Sequence, residues 1–475
     1  MREQSIDVLR GIAIVGMVLS GTISRSPDLP GWLFHAQIPP PDFKFNPALP
    51  GITWVDLVFP FFIFAMGAAI PYSLCRLAET ANGIILFKKI AVRAFRLFVF
   101  AVMLGHLSPW HYNGAQGLYP YLFAALAFAA FFLAFTRLPS GFKHSYIYEL
   151  SGYAIILGLL LIRHFVFNLP FSANKNDIII LVLANLAVFG GFLWYFTRNK
   201  PLMRLAILTL FVALRFTNQV DESVNQWLWS LTPGKLLVQF IPGLYNWMLP
   251  VVDFTRTVFY NPEFLKYLMI LVPGTFAGEI LKSNPSYKPL NALITGALVI
   301  VIVLNVWALY NRVIWIIWVV NLLAGIGIFF RKSKSQMIRS ADLQIVSWSW
   351  FWLILGIVFE ASEGGIKKDP STISYLLITA GLAGFFLVVL RKCAEVKLLE
   401  KLTKPFEKAG MNPMVGYVIV SYLIIPLLYF VGLLGWIDGW YHSNPWLGLL
   451  RGIVLTAMML LALQWFHKTK LFWKT

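Results

Sequence analysis

Apolar residues run along this chain in long unbroken stretches, separated by short polar connections that carry the charge. The first stretch, SIDVLRGIAIVGMVLSG, leads into a polar, proline-rich loop (WLFHAQIPPPDFKFNPALPG) and then into ITWVDLVFPFFIFAMGAAIPYSL. Apolar runs of roughly 20 residues are what a helix needs to cross a ~30 Å hydrocarbon core, and they recur from Ile6 to Phe466. Barrel strands would alternate apolar and polar positions, and these segments do not. The pattern predicts helices over 6–21, 52–74, 87–106, 118–136, 146–167, 178–197 and 203–217. It continues with 265–281, 289–309, 313–330, 342–359, 375–390, 414–434 and 446–466. The expected fold is all-α, a polytopic integral membrane helix bundle of about 12–14 transmembrane helices. Residues 1–475 read as one transmembrane domain with a leading hairpin over 1–75 and an added helical hairpin over 289–330. The stretch 218–264 is amphipathic and carries Trp227, Trp229, Tyr245, Trp247 and Tyr260, a density that suits the headgroup level.

Composition agrees with the pattern: at 59% hydrophobic and 13% charged, the chain is too apolar for a soluble globule. A net charge of +18 would point to nucleic acid in a soluble protein, but here its placement decides. Basic residues gather in every second loop, among them Arg76, Lys88 and Lys89; Arg198, Lys200 and Arg204; Arg331 to Arg339; Arg391 to Lys408; and Lys468 to Lys474. That is the bias that marks cytoplasmic loops. It predicts a multi-pass protein of the plasma (inner) membrane with both termini cytoplasmic, the loop 22–50 and the stretch 218–264 outside, and no nucleic-acid partner. Cys75 and Cys393 then fall at cytoplasmic helix ends and are expected as reduced thiols. The first apolar run has no small-residue cleavage site after it and reads as a retained helix.

Ionisable groups inside a bilayer are costly and are read as functional by default. Asp7 and Arg10 stand three apart on the first helix, while Lys89, Arg93 and Arg96, at spacings of four and three, share one face of the third. Together they would make an anion pocket open to the cytoplasm, since guanidinium forks suit phosphate. An internal ion pair and snorkelling side chains are the structural alternatives. No Walker loop or dinucleotide fingerprint is present, so side chains would have to hold a phosphate-bearing ligand. His35 lies in the first loop, where the other titratable groups are Asp28, Asp42 and Lys44. It is either an interfacial histidine or one placed for acid–base work. Asp56 could accept a bond from that imidazole and fix its tautomer, or else serve a helix-to-helix hydrogen bond. His106 and His111, five apart with no carboxylate or thiol nearby, do not suggest a metal site. Glu360, Glu363 and Asp369 either recognise an amine or form a solvated loop, and Asn412 reads as a helix cap.

SIDVLRGIAIVGMVL, the His35 loop and GITWVDLVFPFFIFAMG resemble the catalytic membrane domain of heparan-α-glucosaminide N-acetyltransferase and its bacterial relatives. VPGTFAGEIL, KKDPSTISYLLITAG, PFEKAGMNPMVGYV and KTKLFWKT continue the resemblance, in order, over nearly the whole chain. It implies a transmembrane acyltransferase that moves acetyl from cytoplasmic acetyl-CoA to an amino sugar or other saccharide on the external side. His35 occupies the position of the family's catalytic histidine. The asparagine that precedes it in the family is replaced here by Ser20-Gly21-Thr22. On this reading His35 and Asp56 are catalytic, and Asp7, Arg10, Lys89, Arg93 and Arg96 bind the co-substrate acetyl-CoA, with no metal required. The partners are acetyl-CoA, a glycan acceptor and the lipid bilayer, with a homodimer left open. The rival is a secondary transporter of a saccharide or lipid-linked precursor, which buried Asp and Arg would serve equally well. The lack of an internal repeat weighs against it.

Overall fold

In lipid every backbone N–H and C=O must be bonded within the segment, so uniformly apolar runs have little choice but to be helices. The computed structural model describes residues 3–80, 83–108, 117–138, 144–172, 174–232, 261–283, 290–333 and 340–473. His111, Tyr245, Trp247 and Tyr260 lie outside the described residues. The first helices are α1 (Gln4–Thr22), α2 (Trp54–Thr80), α3 (Gly83–Leu107), α4 (Leu118–Phe135), α5 (Ser145–Phe165), α6 (Ile178–Thr197), α7 (Pro201–Thr217) and α8 (Val224–Ser230). They are followed by α9 (Pro262–Leu265), α10 (Leu268–Ser283), α11 (Ala292–Tyr310), α12 (Ile314–Ser333), α13 (Ala341–Ser362) and α14 (Ile373–Glu395). The last are α15 (Lys397–Met411), α16 (Pro413–Ile419), α17 (Ile425–Phe430), α18 (Leu434–Ser443) and α19 (Pro445–Lys468).

Among the described residues, 12 helical segments are long and apolar enough to cross a membrane, which makes this a multi-pass helical membrane protein. The two other expected spans are shorter: α7 has 17 residues, and the apolar part of α12 ends at Ile328. Two stretches between expected spans are helical, the segment of α18 and the basic segment after α14. The basic segment after α14, expected as a loop, is the helix α15, whose lysines and leucines fall on opposite faces. A search for uniformly apolar runs passes over a helix that keeps one face in water.

The helices form two compact units. One comprises Met1–Glu79, Met269–Tyr417 and Ile437–Gln464; the other comprises Thr80–Leu268, Val418–Trp436 and Trp465–Thr475. In the first, α14 is almost wholly buried and serves as the central post. Lipid tails give helices no hydrophobic reason to associate, so close approach of backbones over small residues does that work. α13 reaches α14 over Gly356, Gly381 and Gly384, and α2 reaches α10 over Gly67, Gly274 and Gly278. A Cβ at Gly67, Gly274 or Gly278 would come within 2.2–2.3 Å of the carbonyl oxygen opposite.

The tightest approach is between α1 and α15, where a Cβ on Gly11 would lie 1.7 Å from the Phe406 carbonyl oxygen and one on Gly410 1.8 Å from that of Asp7. Neither obstacle is a side chain that could swing away. Gly410→Val is therefore expected to cost at least ~3 kcal/mol, the upper end of ordinary overpacking. The loss should be read as an earlier thermal unfolding midpoint of the detergent-solubilised protein. An unchanged midpoint would mean that α1 and α15 are not held at this spacing.

In the second unit α3 packs against α6 and α4 against α5. Phe100 meets Phe131, Phe135 and Trp473 edge-on, with centroids 5.3–6.0 Å apart, in the geometry that aromatic quadrupoles prefer.

Candidate functional site

The loop between α1 and α2 has a small core of its own. A 3-10 turn over Gly31–Leu33 folds Ile23, Leu29, Leu33 and Phe34 together, flanked by Leu19, Phe43, Trp54 and Leu449. The Phe34 ring meets Phe43 edge-on at 4.9 Å, which anchors the residue immediately before His35. α2 then opens on Thr53-Trp54-Val55-Asp56, a reciprocal cap of the kind in which a hydroxyl residue and an acid three positions later satisfy each other's end of the helix. Thr53 Oγ1 accepts the Val55 N–H at 3.2 Å, and Asp56 Oδ2 accepts the Thr53 N–H at 2.9 Å. The same Oδ2 accepts the Ala36 N–H at 3.2 Å.

With one carboxylate oxygen fixed by two backbone donors, the other faces the imidazole: His35 Nδ1 lies 2.7 Å from Asp56 Oδ1. A carboxylate can only accept, so Nδ1 donates to Asp56, and in the neutral ring Nε2 is the nitrogen that carries the lone pair. The Asp56 side chain is 2% exposed and that of His35 35%. The arrangement is a buried carboxylate orienting a reachable imidazole, the geometry shared by general bases and activated nucleophiles. From behind, the Tyr375 hydroxyl at the start of α14 donates to the Asp56 carbonyl at 2.7 Å.

A third group joins them from the loop between α13 and α14. Lys368 Nζ stands 3.1 Å from His35 Nδ1, 3.3 Å from Nε2 and 3.9 Å from Asp56 Oδ1. Near-equal distances to the two ring nitrogens set the ammonium against the face of the imidazole, off the lone-pair direction of either. Burial holds the Lys368 pKa below the usual lysine range, with the Asp56 and Asp369 carboxylates working in the opposite sense.

The lysine's loop is firmly tied to the histidine's. Gln37 Nε2 donates to the Asp369 carbonyl at 2.6 Å, and the Asp369 N–H donates to Gln37 Oε1 at 2.9 Å. The Gly51 N–H donates to the Ile366 carbonyl at 2.8 Å. Gly365 has φ +99°, and a Cβ there would stand 2.5 Å from Pro50, so only glycine fits.

Sequence reasoning picks out His35 and Asp56 and passes over Lys368. The signals for it were its place in KKDPSTISYLLITAG, one of the stretches that carry the resemblance, and in a loop that helix counting puts on the same side as the His35 loop. Two of the three acids considered as amine binders in that region have structural partners: Glu360 pairs with Arg312, and the Glu363 carboxylate accepts the Ile373 and Ser374 N–H groups at the start of α14. Ser20 and Thr22 turn their hydroxyls back onto carbonyls of α1, at 2.9 Å each. Asn412 is buried between α15 and α16, where its carbonyl accepts the Gly416 N–H at 3.2 Å.

The residues expected to bind the donor divide between the two units: Asp7 and Arg10 belong to the first, Lys89, Arg93 and Arg96 to the second. Arg10 pairs with Asp7 at 3.2 Å and donates to the Gly410 carbonyl at 3.2 Å, so it bridges the α1–α15 contact. Lys89 is exposed, Arg93 is partly buried, and Arg96 pairs with Glu149 of α5 at 3.3 Å. His106, also in the second unit, is buried and stacked on Phe171, with Nε2 accepting the Ser172 N–H at 3.1 Å. Among the described residues no group of three or more metal-ligating side chains forms.

A family model described as "Domain of unknown function (DUF5009)" matches residues 2–252, a stretch that contains His35 and Asp56 and ends before Lys368. No curated protein matches the chain.

Proposed function

Starting from a chain that belongs to the DUF5009 family, whose description names no activity, we propose that the protein is a transmembrane acyltransferase. It moves an acetyl group from acetyl-CoA on the cytoplasmic side to an amine or hydroxyl of an amino sugar or other saccharide on the external side of the plasma (inner) membrane. The observation that supports this most is the His35–Asp56 pair: a buried carboxylate 2.7 Å from Nδ1 leaves an accessible Nε2 free to act. The resemblance of the first hairpin to the acetyltransferase membrane domain points the same way, and the basic loops support cytoplasmic termini.

His35 Nε2 is the reacting atom. As a base it takes the proton of the acceptor as that group bonds to the thioester carbon, and then returns the proton to the departing thiolate. As a nucleophile it bonds to the carbonyl carbon itself as the C–S bond breaks and the thiolate leaves; the acceptor then bonds to that carbon, the C–N bond to Nε2 breaks, and the freed Nε2 takes the acceptor's proton. Arg10 in the first unit, and separately the basic face of α3 in the second, are each candidates for a phosphate of the donor.

The test is direct. Purified protein incubated with acetyl-labelled acetyl-CoA and glucosamine should release free CoA thiol and label the sugar. Protein that neither binds acetyl-CoA nor passes on its label is not an acyltransferase. Uptake of labelled saccharide into proteoliposomes without any acetyl donor would make it a transporter.

A further inference from the structure

Acyl transfer passes through a tetrahedral intermediate. As the attacking atom bonds to the thioester carbon, the carbonyl π pair moves onto oxygen. When the intermediate collapses that pair returns, the C=O bond re-forms, the C–S bond breaks, and sulfur leaves with its electrons as thiolate. The oxygen's transient charge is where preorganised donors contribute most, provided they stand about 3 Å from it.

Near His35 several neutral side-chain donors are already committed. The Gln37 amide donates to the Asp369 and Pro47 carbonyls, the Thr53 hydroxyl to the Phe34 carbonyl, and the Ser371 hydroxyl to the Lys368 carbonyl. The Tyr375 hydroxyl is turned away onto the Asp56 carbonyl. Lys368 differs from all of these. It brings three N–H donors, 3.3 Å from Nε2, on a side chain that keeps 21% of its surface exposed. An acetyl carbon bonded to Nε2, or poised beside it, with its oxygen turned to that face of the ring, comes within reach of the ammonium.

We propose that Lys368 is a catalytic residue of this site, the cation that takes the charge developing on the acetyl oxygen while Nε2 of His35 acts. The inference rests on the acyltransferase reading and adds the electrophilic group that this reading needs. The ties from Gln37 to Asp369 and from Gly51 to Ile366 hold the lysine's loop in register with the histidine's, so the charge is in place before the reaction begins. Burial works against the ammonium, and the Asp56 and Asp369 carboxylates beside it work to keep it charged.

The test compares the full-length wild type with Lys368→Met and Lys368→Arg. Two donors are used with glucosamine as acceptor: acetyl-CoA and its dithioester analogue, in which sulfur replaces the carbonyl oxygen. Lys368→Met should lower kcat about 10²–10³-fold with KM for acetyl-CoA within about twofold. Lys368→Arg keeps a charge and N–H donors and should regain about tenfold or more of the loss. Sulfur accepts hydrogen bonds poorly, so the wild-type preference for the oxygen donor should collapse in Lys368→Met. An oxygen-over-sulfur preference equal in wild type and Lys368→Met overturns the proposal, as does a Lys368→Met protein working at the wild-type rate. Either result leaves the acyltransferase reading standing. A wild-type protein that transfers from neither donor overturns both. Thermal unfolding reports whether the variants fold, and Lys368→Gln takes the place of the methionine variant if that one melts early.

Discussion

His35→Ala is expected to abolish acetyl transfer, a loss of about 10⁴-fold or more, whether the imidazole is the base or the nucleophile. Acetyl-CoA binding and the thermal unfolding midpoint should stay near wild type. The side chain is partly exposed and fills no core position, so its removal opens a dent at the surface and leaves no buried void. Asp56 loses one partner but keeps the Thr53 and Ala36 N–H donors on its other oxygen, which holds the start of α2 together. The same variant separates the two routes. Labelled acetyl trapped by rapid quench on wild type and absent from His35→Ala assigns a covalent acetyl-imidazole; no trapped label on either assigns direct transfer. Undiminished transfer by His35→Ala would sink the mechanism outright.

Asp56→Asn should cost about 10²–10⁴-fold in kcat, and the reason lies in which end of the amide must point where. The Oδ2 position faces two backbone N–H donors, so the amide oxygen has to occupy it. That turns the NH₂ group toward His35 Nδ1, which must then accept. The imidazole proton moves to Nε2, and the lone pair needed for chemistry is gone. The substitution thus preserves shape while inverting the tautomer, and the loss should appear in kcat with KM for acetyl-CoA little changed. A fall of less than tenfold would mean that Asp56 serves only to cap α2.

What could be read in advance, and what could not, follows from where each piece of information resides. The spans were legible because lipid forces every uniformly apolar run into a helix. α15 was not, because one of its faces is polar and its glycine contact with α1 is a property of two segments together. His35 and Asp56 were legible because they sit 21 residues apart in one hairpin and the Thr53-x-x-Asp56 cap shows locally where the carboxylate will be. Lys368 is 333 residues from the imidazole it touches, and no local pattern announces that contact. The basic face of α3 was visible in its spacing, yet the pairing of Arg96 with Glu149 depends on how α3 and α5 come together.

The separation of Lys368 from His35 also orders events in time. Membrane helices enter the bilayer as the chain is made, amino end first. The hairpin of α1 and α2 can therefore insert and settle its own loop long before the lysine's segment leaves the ribosome. Until then Gln37 has no Asp369 backbone to hold, and the contact between Lys368 and the imidazole is not made. A chain released before α14 is built carries the imidazole and its carboxylate but only part of the site. On the proposed mechanism, competence is a property the nascent protein acquires late, when one loop closes on another.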